Sequence, residues 1–168
     1  MKNKIRKFKL FVVHGRCTRC GTQRIMYFTN DAIYGERIVS TKDGSKCAYA
    51  DLINEGITDE LKVICTELIL NESNDTYKNK ISRIVSNIYG ITCDEIDGDI
   101  IDTIPNTKCP NCGQRTMEEM PEYGERLISL ELSEVTHDTW SKLNIEERKS
   151  KVQAELVRQG YIKKMNSI

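Results

Sequence analysis

Two five-residue units constrain this chain more than any other feature: Cys17-Thr18-Arg19-Cys20-Gly21 and Cys109-Pro110-Asn111-Cys112-Gly113. A C-x-x-C spacing lets one tight turn aim two thiolates at the same point. Two such turns supply the four ligands of a closed tetrahedral metal site. The glycine after each second cysteine suits a chain that leaves the turn with positive φ, where a side chain would be strained. Between Cys20 and Cys109 lie 88 residues. A fold that uses both units must bring those distant positions together and accommodate everything in between.

Other uses of the cysteines fit less well. The seven cysteines stand at 17, 20, 47, 65, 93, 109 and 112, and an odd count suits a disulfide framework poorly. A redox motif of the thioredoxin kind would use one C-x-x-C at a helix N-terminus, not two in separate hairpins. The ligand rules therefore point to one zinc ion shared by Cys17, Cys20, Cys109 and Cys112. The arrangement resembles the zinc-ribbon group, in which two such knuckles cap β-hairpins around one metal. The resemblance covers about residues 8–30 and 104–132, rests on the two knuckles, and implies a structural zinc. It departs from the group in the long separation of the knuckles, which makes the insertion the distinctive part of the chain. Four cysteines fill such a site, so His14 and His137 read as ordinary polar residues. Cys65 reads as helix packing, and Cys47 and Cys93 as structural.

Composition narrows the class further. With 168 residues, 30% charged and 39% apolar, and only 3 prolines, the chain is expected to fold as one domain or two very small ones. No window approaches the roughly 18 apolar residues of a membrane span. The apolar run behind the basic N-terminus is only Leu10-Phe11-Val12-Val13, shorter than the core of a signal peptide. A soluble cytoplasmic protein without a membrane partner is the expectation. Bases and acids balance at 25 each, but they are segregated. Residues 1–30 hold eight bases and no acid, whereas residues 91–138 hold three bases against twelve acids. Such a balance argues against coating nucleic acid over the whole surface and leaves room for a local phosphate contact.

Periodicity supplies the elements. Residues 5–13 and 23–29 alternate as strands around the first knuckle, with Phe8, Leu10 and Val12 in phase, and residues 38–41 add a short strand. Residues 46–55 read as a helix with Tyr49, Leu52 and Ile53 on one face and Gly56 as its C-cap. Residues 59–72 carry the stripe Leu61, Ile64, Cys65, Leu68 and Ile69 behind Thr58 as N-cap. Residues 76–89 repeat it with Tyr77, Ile81, Ile84, Val85 and Ile88, between Asp75 as N-cap and Gly90 as stop. Asp94–Asp99 reads as an acidic loop, 126–132 as a strand, and 145–159 as a helix with Asn144 and Glu147 as a capping box. The fold class is α+β: a split zinc ribbon of β-hairpins (1–45 and 91–138), an inserted small helical bundle (46–90) and a C-terminal helix (139–168).

Three functions compete. In the helix at 76–89 the polar positions Lys78, Asn79, Lys80, Ser82 and Arg83 carry no acid, as a helix that contacts phosphates would. With Lys7 and Lys9 of the basic arm and Arg16 and Arg19 of the first knuckle, these residues make a nucleic-acid-associated regulator the leading expectation. The acidic block from Cys93 to Asp138 suits instead a protein-binding inhibitor or scaffold that docks on a basic partner, of the kind a phage or mobile element encodes. Enzymatic zinc chemistry is disfavoured. Cys93-Asp94-Glu95 followed by Cys109-Pro110-Asn111-Cys112 resembles the nucleobase-deaminase pattern only in part. A four-thiolate site also lacks the open position that catalysis needs.

Overall fold

A computed structural model describes residues 4–29, 35–53, 56–71 and 80–163. The chain is mixed α and β, with antiparallel sheets and, among the described residues, four α-helices. The longest strand, β1 (Ile5–Cys17), organises the rest. On one edge β2 (Gln23–Thr29) pairs with it from Leu10 to Arg16. On the other edge two strands share its length. Ahead of them in the chain come β3 (Glu36–Ser40) and β4 (Cys47–Asp51), an antiparallel pair of their own. Then β5 (Met117–Glu119) meets Gly15–Cys17, and β6 (Arg126–Ser133) meets Ile5–Val12.

The period-2 pattern of β1 sets its faces. Phe8, Leu10 and Val12 are buried, and Lys7 and Lys9 are exposed. Phe8 packs on Tyr49 of β4, with ring centroids 5.3 Å apart, and Leu132 of β6 closes this small core.

The larger core lies among helices. Leu61, Ile64, Cys65 and Ile69 of α1 (Ile57–Asn71) are at most 1% exposed. They meet Ile84, Val85 and Ile88 of α2 (Ile81–Ile88) and Val152 and Leu156 of α4 (Ile145–Arg158). Between β6 and α4 stands the short α3 (Asp138–Lys142), whose Trp140 is buried in the same core and donates Nε1–H to Glu60 at 3.1 Å. The capping box at Asn144 and Glu147 is present in both directions. The C-terminal helix, read from sequence as a unit of its own, thus completes the core of the inserted helices.

Four sequence readings are corrected. Residues 46–55 do not form a helix, because Cys47–Asp51 is strand β4. Ala48, Tyr49 and Ala50 are buried in succession, which no single helical face allows but a strand covered on both sides does. Ile53, placed on that helical face, is 52% exposed. Gly56 therefore caps nothing behind it. Its carbonyl instead accepts from Glu60 N–H at 3.2 Å as α1 begins, and Thr58, inside the first turn, is no N-cap. Gly90 does not end a helix cleanly either. After Ile88 the chain tightens into a 3-10 turn, Tyr89–Thr92, with Gly90 pressed against the 101–103 segment. A Cβ there would stand 2.8 Å from the Ile101 carbonyl oxygen. Tyr77 and the Asp75 cap lie outside the described residues.

Candidate metal centre

The two knuckles adopt the same turn, hydrogen bond for hydrogen bond. In the first, Cys17 N–H donates to Thr22 O at 2.8 Å and Gly21 N–H donates to Cys17 O at 2.9 Å. In the second, Cys109 N–H donates to Gln114 O at 2.8 Å and Gly113 N–H to Cys109 O at 2.9 Å. Both glycines leave the turn in the left-handed region, with φ of 74° and 70°. This is the conformation their position after the second cysteine foretold. In each knuckle the N–H of the second cysteine also points at the first cysteine's sulfur, at 3.4 Å and 3.5 Å. The sheet joins the knuckles: Cys17 is in register with Met117, and Thr18 N–H donates to Thr116 O at 2.9 Å.

The four sulfur atoms lie within 4.8 Å of one another. Cys17 Sγ is 3.7 Å from Cys112 Sγ, and Cys20 Sγ is 3.5 Å from Cys109 Sγ. A tetrahedron of thiolates about 2.3 Å from a central ion has edges of roughly 3.8 Å, so the donor set and its spacing fit one metal ion. Two threonines support the cluster: Thr116 Oγ1 is 3.0 Å from Cys17 Sγ, and Thr22 Oγ1 is 3.1 Å from Cys20 Sγ. The Thr116 hydroxyl lowers the Cys17 thiol below its ordinary value, and the Thr22 hydroxyl and main chain hold Cys20 down to about 6. Cys112 moves the other way. A bond from the Gln114 main chain lowers it, but desolvation and the neighbouring thiols outweigh that and push it up to about 11. Four thiols this close resist simultaneous ionisation, and a cation among them removes that resistance.

The residues expected to meet phosphates fall in three places. Lys7 and Lys9 are exposed on the sheet, directly opposite Glu131 and Ser129. Arg16 is opposite Glu118, and Arg19 is exposed in the first knuckle. Lys78 lies outside the described residues. Lys80 and Arg83 line a cleft of about 500 Å³ at the second knuckle, and Lys108 and Arg115 line it with them. No carboxylate lines that cleft among the described residues. Lys108 Nζ donates to Gln159 O at 3.0 Å and sits 5.2 Å from the Tyr161 ring centroid. Burial lowers the Lys108 ammonium below its ordinary value, and the charges of Arg115 and Arg158 lower it further. Lys108 and Arg115 were missed from sequence, although a parallel was visible there: each knuckle opens with a base before its first cysteine, Arg16-Cys17 and Lys108-Cys109.

His14 stacks on Tyr123 at 4.5 Å, and His137 Nδ1 is 2.7 Å from Thr92 O, so both have partners apart from the thiolates. Cys65 is fully buried, and burial pushes its thiol up to about 12. Among the described residues no helix is long and apolar enough to cross a membrane.

No family model, curated protein or solved structure matches the chain. The cysteine cluster and the cleft beside it therefore carry the functional reading alone.

Proposed function

We propose that the chain is a split zinc ribbon that binds nucleic acid, with the metal holding the second knuckle in place as one wall of a phosphate-binding cleft. Zinc is the ion that suits four thiolates at tetrahedral spacing and needs no open position. The zinc is structural, and the protein acts by binding rather than by catalysis. One observation carries the reading: Lys80, Arg83, Lys108 and Arg115 line a single cleft whose described lining includes no carboxylate. Arg83, Lys108 and Arg115 converge there, and a nucleic-acid backbone supplies anions at regular spacing.

The test is binding of labelled DNA and RNA oligonucleotides, single- and double-stranded, by anisotropy over a range of salt. Each phosphate that a side chain neutralises steepens the plot of log affinity against log salt by about 0.7 to 0.9. Arg83→Ala with Arg115→Ala is expected to weaken binding and to flatten that slope by roughly twice this amount. An unchanged slope in the double variant removes the cleft from the interface.

A second reading has its own observation. Glu118, Glu119, Glu122 and Glu125 are all exposed around the β5–β6 connection, an acidic surface suited to a basic protein partner. Under that reading the chain is an inhibitor or scaffold. Charge reversal of those four glutamates then abolishes binding, while the cleft variant leaves it intact.

A further inference from the structure

A second cation-rich recess shares no lining residue with the first, and it is built differently. Residues of β2, β3 and 102–106 line a half-open cavity of about 330 Å³. Arg24 lines it and is only 4% exposed. Its Nη1 donates to Ile104 O at 3.3 Å, and its Nη2 donates to Asp102 O at 2.8 Å and Ser40 Oγ at 3.3 Å. Its Nε is buried with no hydrogen-bond partner among the described residues. Arg37 lines the same cavity. It donates to the main-chain oxygen and hydroxyl of Ser86 and to Thr103 O, the last two at 2.7 Å and 3.1 Å. Every acceptor of both guanidinium groups is neutral.

The acids nearby have other partners. The Asp102 carboxylate accepts a two-point bond from Arg158, at 3.0 Å and 3.1 Å. Glu36 is paired with Arg6 through Oε1. Arg158 is also paired with Glu155, so Asp102 is shared with Arg24 and one guanidinium charge stands in surplus, where a buried charge is costly unless something of opposite sign meets it. The cost registers on both side chains. Burial lowers each of them from its ordinary value; the charge of Asp102 offsets part of this at Arg24, and the charge of Arg24 lowers Arg37 further.

We propose that this cavity binds a small phosphorylated molecule, with Arg24 and Arg37 taking its phosphoryl group and Glu36 taking a hydroxyl or amino group. Planar guanidinium forks match phosphoryl oxygens in shape. A phosphomonoester brings three acceptor oxygens and about 1.5 to 2 negative charges to one point at neutral pH, enough to meet both arginines at once, whereas a carboxylate brings two oxygens and one charge. The donor group follows from Glu36, whose Oε2 is buried without a hydrogen-bond partner among the described residues. A ligand with both groups satisfies the bare acceptor and the bare Arg24 Nε together. The volume sits at the small end of the roughly 300 to 1,000 Å³ typical of ligand sites, which suits a metabolite. The site is independent of the cleft proposed for nucleic acid.

Isothermal titration of the full chain, purified without chelator, tests the proposal with four probes at matched ionic strength: ribose 5-phosphate, inorganic phosphate, ribose and succinate. Ribose 5-phosphate is expected to bind at one per chain and phosphate to bind about tenfold more weakly, with no binding by ribose or succinate. Arg37→Gln should lower ribose 5-phosphate affinity at least about tenfold, and Arg37→Lys should restore part of it. Glu36→Gln should weaken ribose 5-phosphate and leave phosphate unaffected. The cleft variant Arg83→Ala with Arg115→Ala should bind ribose 5-phosphate normally, so the two proposals fail separately. Absence of heat from both phosphorylated probes up to about 10 mM overturns the proposal, as does succinate binding as tightly. Because the comparison of probes uses the unaltered protein, it stands even if an arginine variant fails to fold.

Discussion

At the cysteine end, residues 17–22 and 109–114 make the same turn with the same two main-chain bonds, and the only large step is to bring the turns together. At the helical end, α1, α2 and α4 contribute unlike faces to one core, and side chains from Val39 to Ile162 take part. The first end is short-range in sequence and organised by four sulfur atoms close enough to share one cation. The second is long-range and organised chiefly by apolar burial. Strand β1 runs between the two, with Phe8 beside Tyr49 near the core and Cys17 at the cluster. The difference teaches that the ends should answer to different perturbations: the knuckles to metal, the helices to the removal of buried methyl groups.

The largest effect should come from Cys17→Ser. Where ligand binding and folding are coupled, loss of one thiolate removes most of a metal-binding free energy on the order of 10 kcal/mol, and the packing of the two knuckles and the sheet that joins them should be lost. Metal-free protein whose β1 and knuckle amides stay as protected from hydrogen exchange as in the parent would break the comparison. Next comes Leu156→Ala in the helical core, where Leu156 is fully buried. It should cost about 2 to 5 kcal/mol in urea denaturation and leave the bound metal per folded chain unchanged. A fall in metal content would show that the two ends are one cooperative unit.

Two helix-start variants give the smallest effects. Asn144→Ala removes one half of the capping box of α4 and should cost about 1 kcal/mol, read from the same denaturation curves. Asp94 acts at a distance. Burial pushes its carboxyl up, but Thr136 Oγ1 and the N–H groups of Asp138 and Thr139 outweigh this and hold it well below the usual carboxylate range. Because the folded value is the lower one, this group stabilises above about pH 4 and its contribution is lost as pH falls through the folded value. Asp94→Asn should therefore cost about 0.5 to 2 kcal/mol at neutral pH, with the gap to the parent protein narrowing below about pH 4. A gap that stays constant with pH would assign the effect to packing instead.

What the sequence revealed divides along the same line. The knuckles were legible because each is a closed local unit, and the strands at 5 and 23 because one face is buried and the other is not. The capping box at Asn144 was legible for the same reason: it needs only two residues three apart. Strand β4 was not, since Tyr49 and its alanine neighbours take their role from Phe8 and from the helical core on opposite sides. Nor were the roles of Arg24 and Arg37. Nothing local distinguishes them from other arginines, and their burial is imposed by residues 86 and 102–104, far along the chain. Lys108 and Arg115 joined Lys80 and Arg83 only once the second knuckle had been brought up to α2.

X-ray absorption at the zinc edge, on protein purified without chelator, bears on the central claim most directly. The account predicts one zinc per chain with four sulfur neighbours at about 2.3 Å and no nitrogen or oxygen in the shell. A folded protein whose Cys17, Cys20, Cys109 and Cys112 bind no metal, or bind it with a mixed shell, would contradict it.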